Sequence, residues 1–252
     1  MLPKDHRLPT DRRKARSYVT GLGMDYHRIH ACVNDCVLFR NDHAYATTCP
    51  KCGEERYKPG LMTGPRIPRK VLRHFPIIPR IQHMFKSRGS VDLLTWHAHN
   101  RSTDGIMRVP ADSPAWAHIE ETWPEFKREP RHLRLGLATD GVNPFGQRSS
   151  AWSTWPVVVV NYNIPPWETT KKGNILLSLL VPGKYKVKNM DVYLEPLIEE
   201  LMELWRGVSI IDVSKSHNEQ DCNIKAILMW TMHDYPGLGE ISGIRCIIFS
   251  SF

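Results

Sequence analysis

The second half of the chain alternates between apolar runs and polar breaks. Leucines alternate with other residues from His132 to Thr139, a period of two that is typical of a strand. Four consecutive valines lie between Trp155 and Tyr162, which is typical of a strand buried on both faces. A third apolar run, Ile175 to Val181, ends at a Pro-Gly pair. The pattern therefore predicts three successive strands.

A helix and a fourth apolar run follow these strands. Apolar residues recur at i, i+3, i+4 and i+7 between Leu194 and Trp205, and Gly207 stands where a helix C-cap glycine is expected. The run from Ile224 to His233 fits either a helix or a strand. As a strand, it completes the order strand, strand, strand, helix, strand, with which a ribonuclease H-like fold begins. We therefore expect an α/β protein with an incomplete ribonuclease H-like core.

Two aspartates follow the first and the fourth of these strands. In a ribonuclease H-like core, Asp140 and Asp234 would meet at the ends of adjacent strands. Paired carboxylates can hold divalent metals that activate water or a 3′-hydroxyl for attack on phosphorus. In the alternative interpretation, Asp140 is an Asp-Gly turn residue and Asp234 is a helix cap before a proline. The pattern alone favours this alternative.

The first half of the chain gives weaker signals for secondary structure. Residues Pro59 to Arg88 are rich in proline and basic residues, which predicts a connector of irregular or extended backbone. Within Ile77 to Phe85, a helix is expected to begin after Pro79. Aromatic residues recur at near-helical spacing from Ala111 to Phe126, and we assign them to the core. His97 and His99 could bind a metal on a strand, but no third ligand is close in sequence, so we expect them to be ordinary residues.

Four cysteines form two closely spaced pairs, C-x3-C and C-x2-C, separated by twelve residues. They are Cys32, Cys36, Cys49 and Cys52. Two such pairs supply four soft ligands for a tetrahedral zinc ion, and the Cys-Pro-x-Cys-Gly turn resembles a zinc-ribbon knuckle. Four cysteines complete the tetrahedron, so we expect His27 and His30 to be surface residues. Cys222 and Cys246 are isolated and are expected to be ordinary buried thiols.

The net charge is concentrated in one part of the chain. The 252 residues carry +8, but the first 100 hold 18 of the 34 Lys and Arg and only 8 of the 26 Asp and Glu. They therefore carry +10, and residues 101–252 carry −2. This predicts either a contact with a polyanion or simply a solvated basic surface. The basic residues that the zinc site would present are Arg28, Arg40, Lys51, Arg56 and Lys58. No apolar run is long enough for a membrane span, and the N-terminus lacks the apolar region of a signal peptide, so we expect an intracellular protein.

Long stretches of the sequence resemble the En/Spm-like (CACTA) transposases of plants. In the second half these stretches are Leu135–Gly146, Trp155–Trp167, Leu177–Gly183, Asp191–Leu201 and Trp230–Pro236. In the first half they are Ile29–Cys36, Cys49–Gly53, Trp96–His97 and Pro110–Ser113. Val109 departs from the family, which usually has a histidine before this proline. The resemblance ends near Gly243, and the last nine residues look like unrelated sequence, as in a truncated copy.

The resemblance implies a nuclear cut-and-paste DNA transposase whose ribonuclease H-like core uses three acidic residues and magnesium. Asp140 would be the first acid and Asp234 the second, which reverses the preference drawn from the pattern alone. The third acid would lie on a later helix and is missing, so we expect little or no strand transfer. The DNA partner would be the transposon ends, and a separate element-encoded protein could supply their recognition. The alternative is a non-catalytic, zinc-dependent remnant that binds DNA or protein.

These expectations divide the chain into four parts. They are a basic zinc-ribbon-like region (1–60), a connector with a helical segment (61–130), a partial ribonuclease H-like core (131–243) and a tail unrelated to the family (244–252).

Overall fold

One six-stranded mixed sheet organises the protein. In a computed structural model, the residues described are 11, 13–14, 17, 25–60, 64–102, 104–143, 153–171, 173–183, 187–216 and 219–233. The strands are β1 (His27–Ala31), β2 (Lys70–His74), β3 (Leu133–Thr139), β4 (Ser153–Asn161), β5 (Ile175–Gly183), β6 (Val208–Ile211), β7 (Asp221–Ile224) and β8 (Ala226–Met232). The α-helices are α1 (Ile78–Met84), α2 (Arg88–Leu94), α3 (Trp96–His99), α4 (Pro114–Thr122), α5 (Pro124–Arg128), α6 (Pro166–Thr169) and α7 (Met190–Arg206).

The strand order of the main sheet is β1-β2-β5-β4-β3-β8. β3, β4 and β5 form an antiparallel meander, and β8 pairs with β3 in parallel after the chain has passed through α7. A short antiparallel hairpin, β6–β7, stands between α7 and β8. The three predicted strands and the predicted helix are present, and the ambiguous run that starts at Ile224 is mostly strand β8. Gly207 ends α7 with a φ of +108°, a positive value that favours glycine, although its ψ of 138° is not that of a left-handed helical cap.

Burial of the central strands differs from the prediction. β3 was expected to have the alternation of a half-buried strand, yet it is buried on both faces, because helices α4 and α5 cover the side from which Arg134 projects. β4 was expected to be buried on both faces, but only alternate residues such as Val157 and Val159 are fully buried. The face of β4 that carries Val158 is only partly covered.

The proline-rich segment predicted as a connector contributes a strand to the main sheet. β2 pairs with β1 along its length and with β5 at Arg73 and His74. The α7 residue Glu200 then fixes the start of α1, because its carboxylate accepts hydrogen bonds from the Ile77 and Ile78 amides at 2.9 and 3.2 Å. The apolar residues of this segment enter the main core at Leu72, Ile77, Ile81 and Phe85. Sheet and core therefore include chain on both sides of residue 100.

A buried arginine joins helices α4 and α5 to β3. The guanidinium of Arg134 donates to the carbonyls of Phe126 at 2.6 Å and His132 at 2.9 Å, and to the Glu120 carboxylate at 3.2 Å. It also lies over the Trp116 ring, 4.6 Å from the centroid. Trp116 and Phe126 are fully buried, which confirms their assignment to the core.

Two buried histidines make the fold sensitive to mild acid. Burial lowers the pKa of His97 and of His132 from 6.5 to about 4 in each case. Below pH 6.5 the unfolded chain takes up protons that the folded chain does not, so stability is lost as the pH falls from 6.5 towards 4. We expect the urea midpoint to fall over this range, and to fall less in His97→Gln than in the wild type. Equilibrium unfolding at pH 7.5, 6.0 and 5.0 measures this.

His99→Gln is the matched control, because His99 is exposed two positions along the same helix. It should follow the wild type at every pH. The wild type, His97→Gln and His99→Gln all keep the cysteine centre. Any loss of metal at low pH therefore affects the three proteins equally and does not change the differences between their urea midpoints. Equal acid sensitivity of His97→Gln and the wild type would contradict the contribution of His97.

Candidate zinc centre and candidate catalytic site

The first cysteine pair lies in a tight turn that follows β1. The Cys32 amide donates to the Val37 carbonyl at 3.0 Å, and the Asp35 amide donates to the Cys32 carbonyl at 3.1 Å. Asp35 adopts a φ of +61°, a left-handed conformation that aspartate tolerates better than most residues. This turn brings Cys32 and Cys36 to one side of the backbone.

The second cysteine pair lies in a similar turn. The Gly53 amide donates to the Cys49 carbonyl, and the Cys49 amide donates to the Glu54 carbonyl, both at 2.8 Å. Gly53 has a φ of +75°, which a side chain would strain. The expected knuckle turn, Cys49–Gly53, is therefore present.

The four sulfur atoms converge. All lie within 4.8 Å of one another, and the sulfurs of Cys32 and Cys52 are 3.5 Å apart. A tetrahedral ion with metal–sulfur bonds of about 2.3 Å needs sulfur–sulfur edges of about 3.8 Å. Burial raises the pKa of the Cys36 thiol to about 12, whereas the Glu54 amide lowers that of Cys52 to about 6. The donor set and its spacing fit a metal such as zinc, held by Cys32, Cys36, Cys49 and Cys52.

The neighbouring histidines lie outside this cluster. His27 is exposed, as expected, but His30 is half-buried, and its Nδ1 accepts a hydrogen bond from Arg56 Nε at 2.9 Å. Burial, with Arg56 beside it, lowers the pKa of His30. The segment from β1 to Arg69, residues 27–69, is called the cysteine module below. His30 supports this module from within as a hydrogen-bond acceptor and is not a free surface residue.

The basic residues around the cysteines divide into two groups. Arg56 is structural: its guanidinium donates to the Ala44 and Ala46 carbonyls at 2.7 and 3.0 Å. Arg40 forms an ion pair with Glu199 of α7. Of the five basic residues predicted to be presented, only Arg28, Lys51 and Lys58 are exposed.

Asp35, in the first cysteine turn, connects the module to the core. Its carboxylate is almost fully buried, pairs with Lys70 of β2 and accepts hydrogen bonds from the Tyr193 hydroxyl and the Lys188 amide. Burial and the Asp35 carboxylate raise the pKa of Tyr193. The module is thus tied to both the sheet and α7.

Asp140 lies immediately after β3 and is exposed. Thr139 pairs with Val157 of β4, and Val142 bridges Thr154, so this register places Asp140 opposite Pro156. Because proline has no amide hydrogen, regular pairing stops there. The Thr139 hydroxyl instead donates to the Pro156 carbonyl at 2.9 Å. The backbone that carries Asp140 is therefore held on both sides of the break.

The parallel partner of β3 ends beside Asp140. Ala138 of β3 is opposite Met232, the last residue of β8. A depression of about 400 Å³ opens at these strand ends, lined by Ala138, Thr139, Asp140, Pro156, Val158, Met232 and His233. Among the described residues that line it, Asp140 is the one carboxylate. Asp234, the predicted second acid, lies outside the described residues.

His233 is a site residue that the sequence analysis did not single out. It follows β8 directly, as Asp140 follows β3. The signal that could have identified His233 is its position at the end of the fourth strand, which corresponds to the position of Asp140 at the end of the first.

The other candidate ligands lie apart from both sites. His97 is buried on α3, with Nε2 2.9 Å from the Pro130 carbonyl, and His99 is exposed. Cys222 is half-buried in β7, and Cys246 lies outside the described residues. Neither histidine belongs to the cysteine cluster or to the depression beside Asp140.

Comparison with known proteins identifies a family. In the described part of the chain, no helix has the length and apolar character needed to cross a membrane. No curated protein and no solved structure matches the sequence. The model of "Transposase family tnp2" matches residues 104–249, which include β3 to β8 and Asp140 and continue past Gly243, where the resemblance was expected to end. Since this match covers more than half of the chain, the protein belongs to the transposase family tnp2.

Proposed function

We propose that this protein is an En/Spm-like (CACTA) plant transposase with a ribonuclease H-like core, whose ancestral activity is DNA cleavage and strand transfer in the nucleus. One observation carries the proposal: Asp140 lines a depression at the end of β3, beside the end of the parallel neighbour of β3, strand β8. The order β3-β4-β5-α7-β8 supports it, because it has the sequence of elements expected for such a core.

Asp140 and Asp234 would hold magnesium in this proposal. Asp140 fits because it is an exposed oxygen donor on a backbone fixed by Thr139 and by the Val142 bridge. When bound, the metal would activate water or a 3′-hydroxyl for attack on phosphorus and would stabilise the charge that develops during in-line displacement. Among this chain's own groups, the buried strand β3 fixes where the Asp140 carboxylate lies.

We further propose that catalysis is impaired. The resemblance implies three acidic residues, and residues 1–252 by themselves offer two candidates for them, so the proposal concerns this stretch of chain alone. The purified chain, incubated with labelled duplex DNA and magnesium, should give little or no strand-transfer product. Magnesium-dependent nicking that disappears in Asp140→Ala would contradict the impairment and at the same time support Asp140 as a catalytic acid.

Metal binding can be tested separately from catalysis. Manganese, a spectroscopic substitute for magnesium, should bind the wild type, and Asp140→Asn should weaken this binding at least about tenfold, because one anionic ligand is lost. Electron paramagnetic resonance of free manganese measures the affinity. Asp92→Asn is the matched control, since Asp92 is an exposed acid on α2. Equal manganese affinity in Asp140→Asn and the wild type would overturn the assignment.

A second candidate function is a non-catalytic, zinc-dependent remnant that binds DNA or protein. It is favoured by the cysteine module, which is tied into the core through Asp35 and carries exposed basic residues. Binding of DNA without cleavage, with affinity falling steeply as salt increases, would favour this function. A separate element-encoded protein for recognising transposon ends remains part of the proposal.

A further inference from the structure

We propose that the outer surface of the cysteine module, formed by Tyr45, Lys58 and Arg66, binds the DNA duplex that flanks the reacting phosphodiester. This surface is called the flanking surface below. The inference rests on the proposed function, because it takes DNA as the partner. Beyond that function, the proposal names the residues that hold the duplex and their position relative to Asp140.

Tyr45 is the first indication of a partner. Its side chain is 98% exposed, although it lies in a loop with a fixed backbone. The carbonyls on both sides of Tyr45, those of Ala44 and Ala46, accept hydrogen bonds from Arg56. The Arg56 guanidinium is itself held over the Phe39 ring, 4.8 Å from the centroid. A tyrosine on a rigid loop loses little entropy on binding and can pack against a sugar of the duplex backbone.

The hairpin that follows supplies the charge. The Lys58 amide donates to the Ile67 carbonyl at 2.8 Å, and Arg69 and Arg56 are joined by a backbone hydrogen bond of 3.0 Å. Lys58 and Arg66 are exposed near the tip of this hairpin, and neither forms an ion pair with a carboxylate of the described residues. Two acidic residues lie at the base of the hairpin. Glu54 forms an ion pair with Arg69, and Glu55 is exposed.

The charge of the hairpin suits phosphate groups. Exposed, unpaired cations contribute to DNA affinity by neutralising phosphates and releasing counterions. The Arg66 guanidinium lies 5.6 Å from the Tyr57 ring centroid, which restricts its position without neutralising it. Lys58 and Arg66 therefore lie beside Tyr57, in a concave surface that also includes Thr47, two residues after Tyr45.

The sheet register places this surface and Asp140 at the same edge. β1 ends and β2 begins where Ala31 pairs with Lys70, so both the cysteine turn and the hairpin leave the sheet there. β2 pairs with β5, and Gly183 at the end of β5 pairs with Ser153 at the start of β4. The next residue, Thr154, bridges Val142 just past the end of β3 that carries Asp140. The module and the candidate catalytic site therefore both lie beyond the same ends of the strands.

The strands that lead to the hairpin and to Asp140 are separated by the length of a short duplex. β2, which follows the hairpin, and β3, which precedes Asp140, are three strand spacings apart, about 14 Å. At about 3.4 Å per base pair, this corresponds to about four base pairs. One continuous duplex along this edge would reach both Asp140 and the flanking surface, whereas a compact acidic ligand would not need that span.

The test uses the full chain and a fluorescein-labelled 30-base-pair duplex, with anisotropy measured at several salt concentrations. Lys58→Glu combined with Arg66→Glu should weaken binding at least about tenfold and reduce the salt slope by about two, because two phosphate contacts are lost. Tyr45→Ala should weaken binding about three- to tenfold without changing the salt slope, and Tyr45→Phe should restore most of the affinity. Each variant should keep the wild-type metal content and melting temperature.

Lys127→Glu combined with Arg128→Glu is the matched control. These exposed residues of α5 make the same charge change at the opposite edge, where β3 begins, and should alter the affinity less than twofold. Equal loss in the control and the hairpin variant would overturn the inference, because general charge would then explain binding. Wild-type affinity in the Tyr45 and hairpin variants would overturn it too, while DNA binding by the proposed function would stand.

Two further outcomes separate the inference from the proposed function. If the wild type does not bind the duplex at all, both fail. If the hairpin variant loses binding to polyglutamate or single-stranded RNA but keeps its affinity for the duplex, the flanking surface has another partner and the inference fails alone.

Discussion

Removal of the metal from the cysteine centre is expected to destabilise the main sheet as well as the module. Ala31 and Leu38, on either side of the first cysteine turn, belong to the main core, and Asp35 is bonded to β2 and α7. Structural zinc supplies apparent binding energies of about 10–16 kcal/mol in zinc-finger peptides, comparable with the whole stability of a domain. Excess chelator should therefore lower the melting temperature by at least about 10 °C, as should Cys49→Ser.

Cys222→Ser is the control for this prediction. Cys222 is half-buried in β7 and donates to the Ile210 carbonyl, a hydrogen bond that serine can keep, so melting and metal content should be unchanged. Elemental analysis of the purified protein should give one zinc per chain. Metal-free protein that melts at the same temperature as the wild type would contradict both the zinc centre and its connection to the core.

Arg134→Ala is expected to be the most destabilising single substitution away from the cysteines. The side chain is fully buried, and burial lowers the pKa of its guanidinium to about 10, which leaves it charged at neutral pH. Its removal leaves the Phe126 and His132 carbonyls without this donor and opens a cavity beside Trp116. Losing one member of a buried charged network costs about 3–5 kcal/mol. Urea unfolding monitored by tryptophan fluorescence measures the change.

Two other substitutions are compared with Arg134→Ala. Arg128→Ala removes an exposed arginine of α5 and should change stability by less than about 0.5 kcal/mol. Arg134→Met keeps the apolar stem, so it should recover part of the loss but not all. A loss of under about 1 kcal/mol in Arg134→Ala would show that the carbonyls find other donors.

Local pattern was sufficient where local chemistry decides the structure. The i, i+4 spacing identified α7, because burial of one helix face imposes a period. Alternating leucines and a run of valines identified β3 and β4 as strands, although the burial of their faces differs from the prediction. Cysteine spacing identified the metal cluster for a similar reason, since each knuckle turn is made within a few residues. The position of Asp140 after the first strand followed from the same reasoning.

Long-range pairing could not be predicted in this way. β2 lies in a proline-rich segment, and its place in the sheet depends on β1 and β5, which are distant in sequence. Arg134 has the sequence pattern of a surface residue, and its burial depends on helices that precede it. Arg40 and Arg56 were expected to be free cations, but Glu199 and two loop carbonyls engage them. Partners brought together only by the fold decide each of these cases.

The strand order also determines how the protein can be produced for laboratory work. The family match starts at residue 104, but β1 and β2 lie before it and cover the edge of β5. A shortened chain that starts at the family boundary would expose the backbone groups of β5 that now pair with β2, and an unpaired edge strand promotes aggregation. A shortened chain should therefore keep β1 and β2 together with the family-matched region.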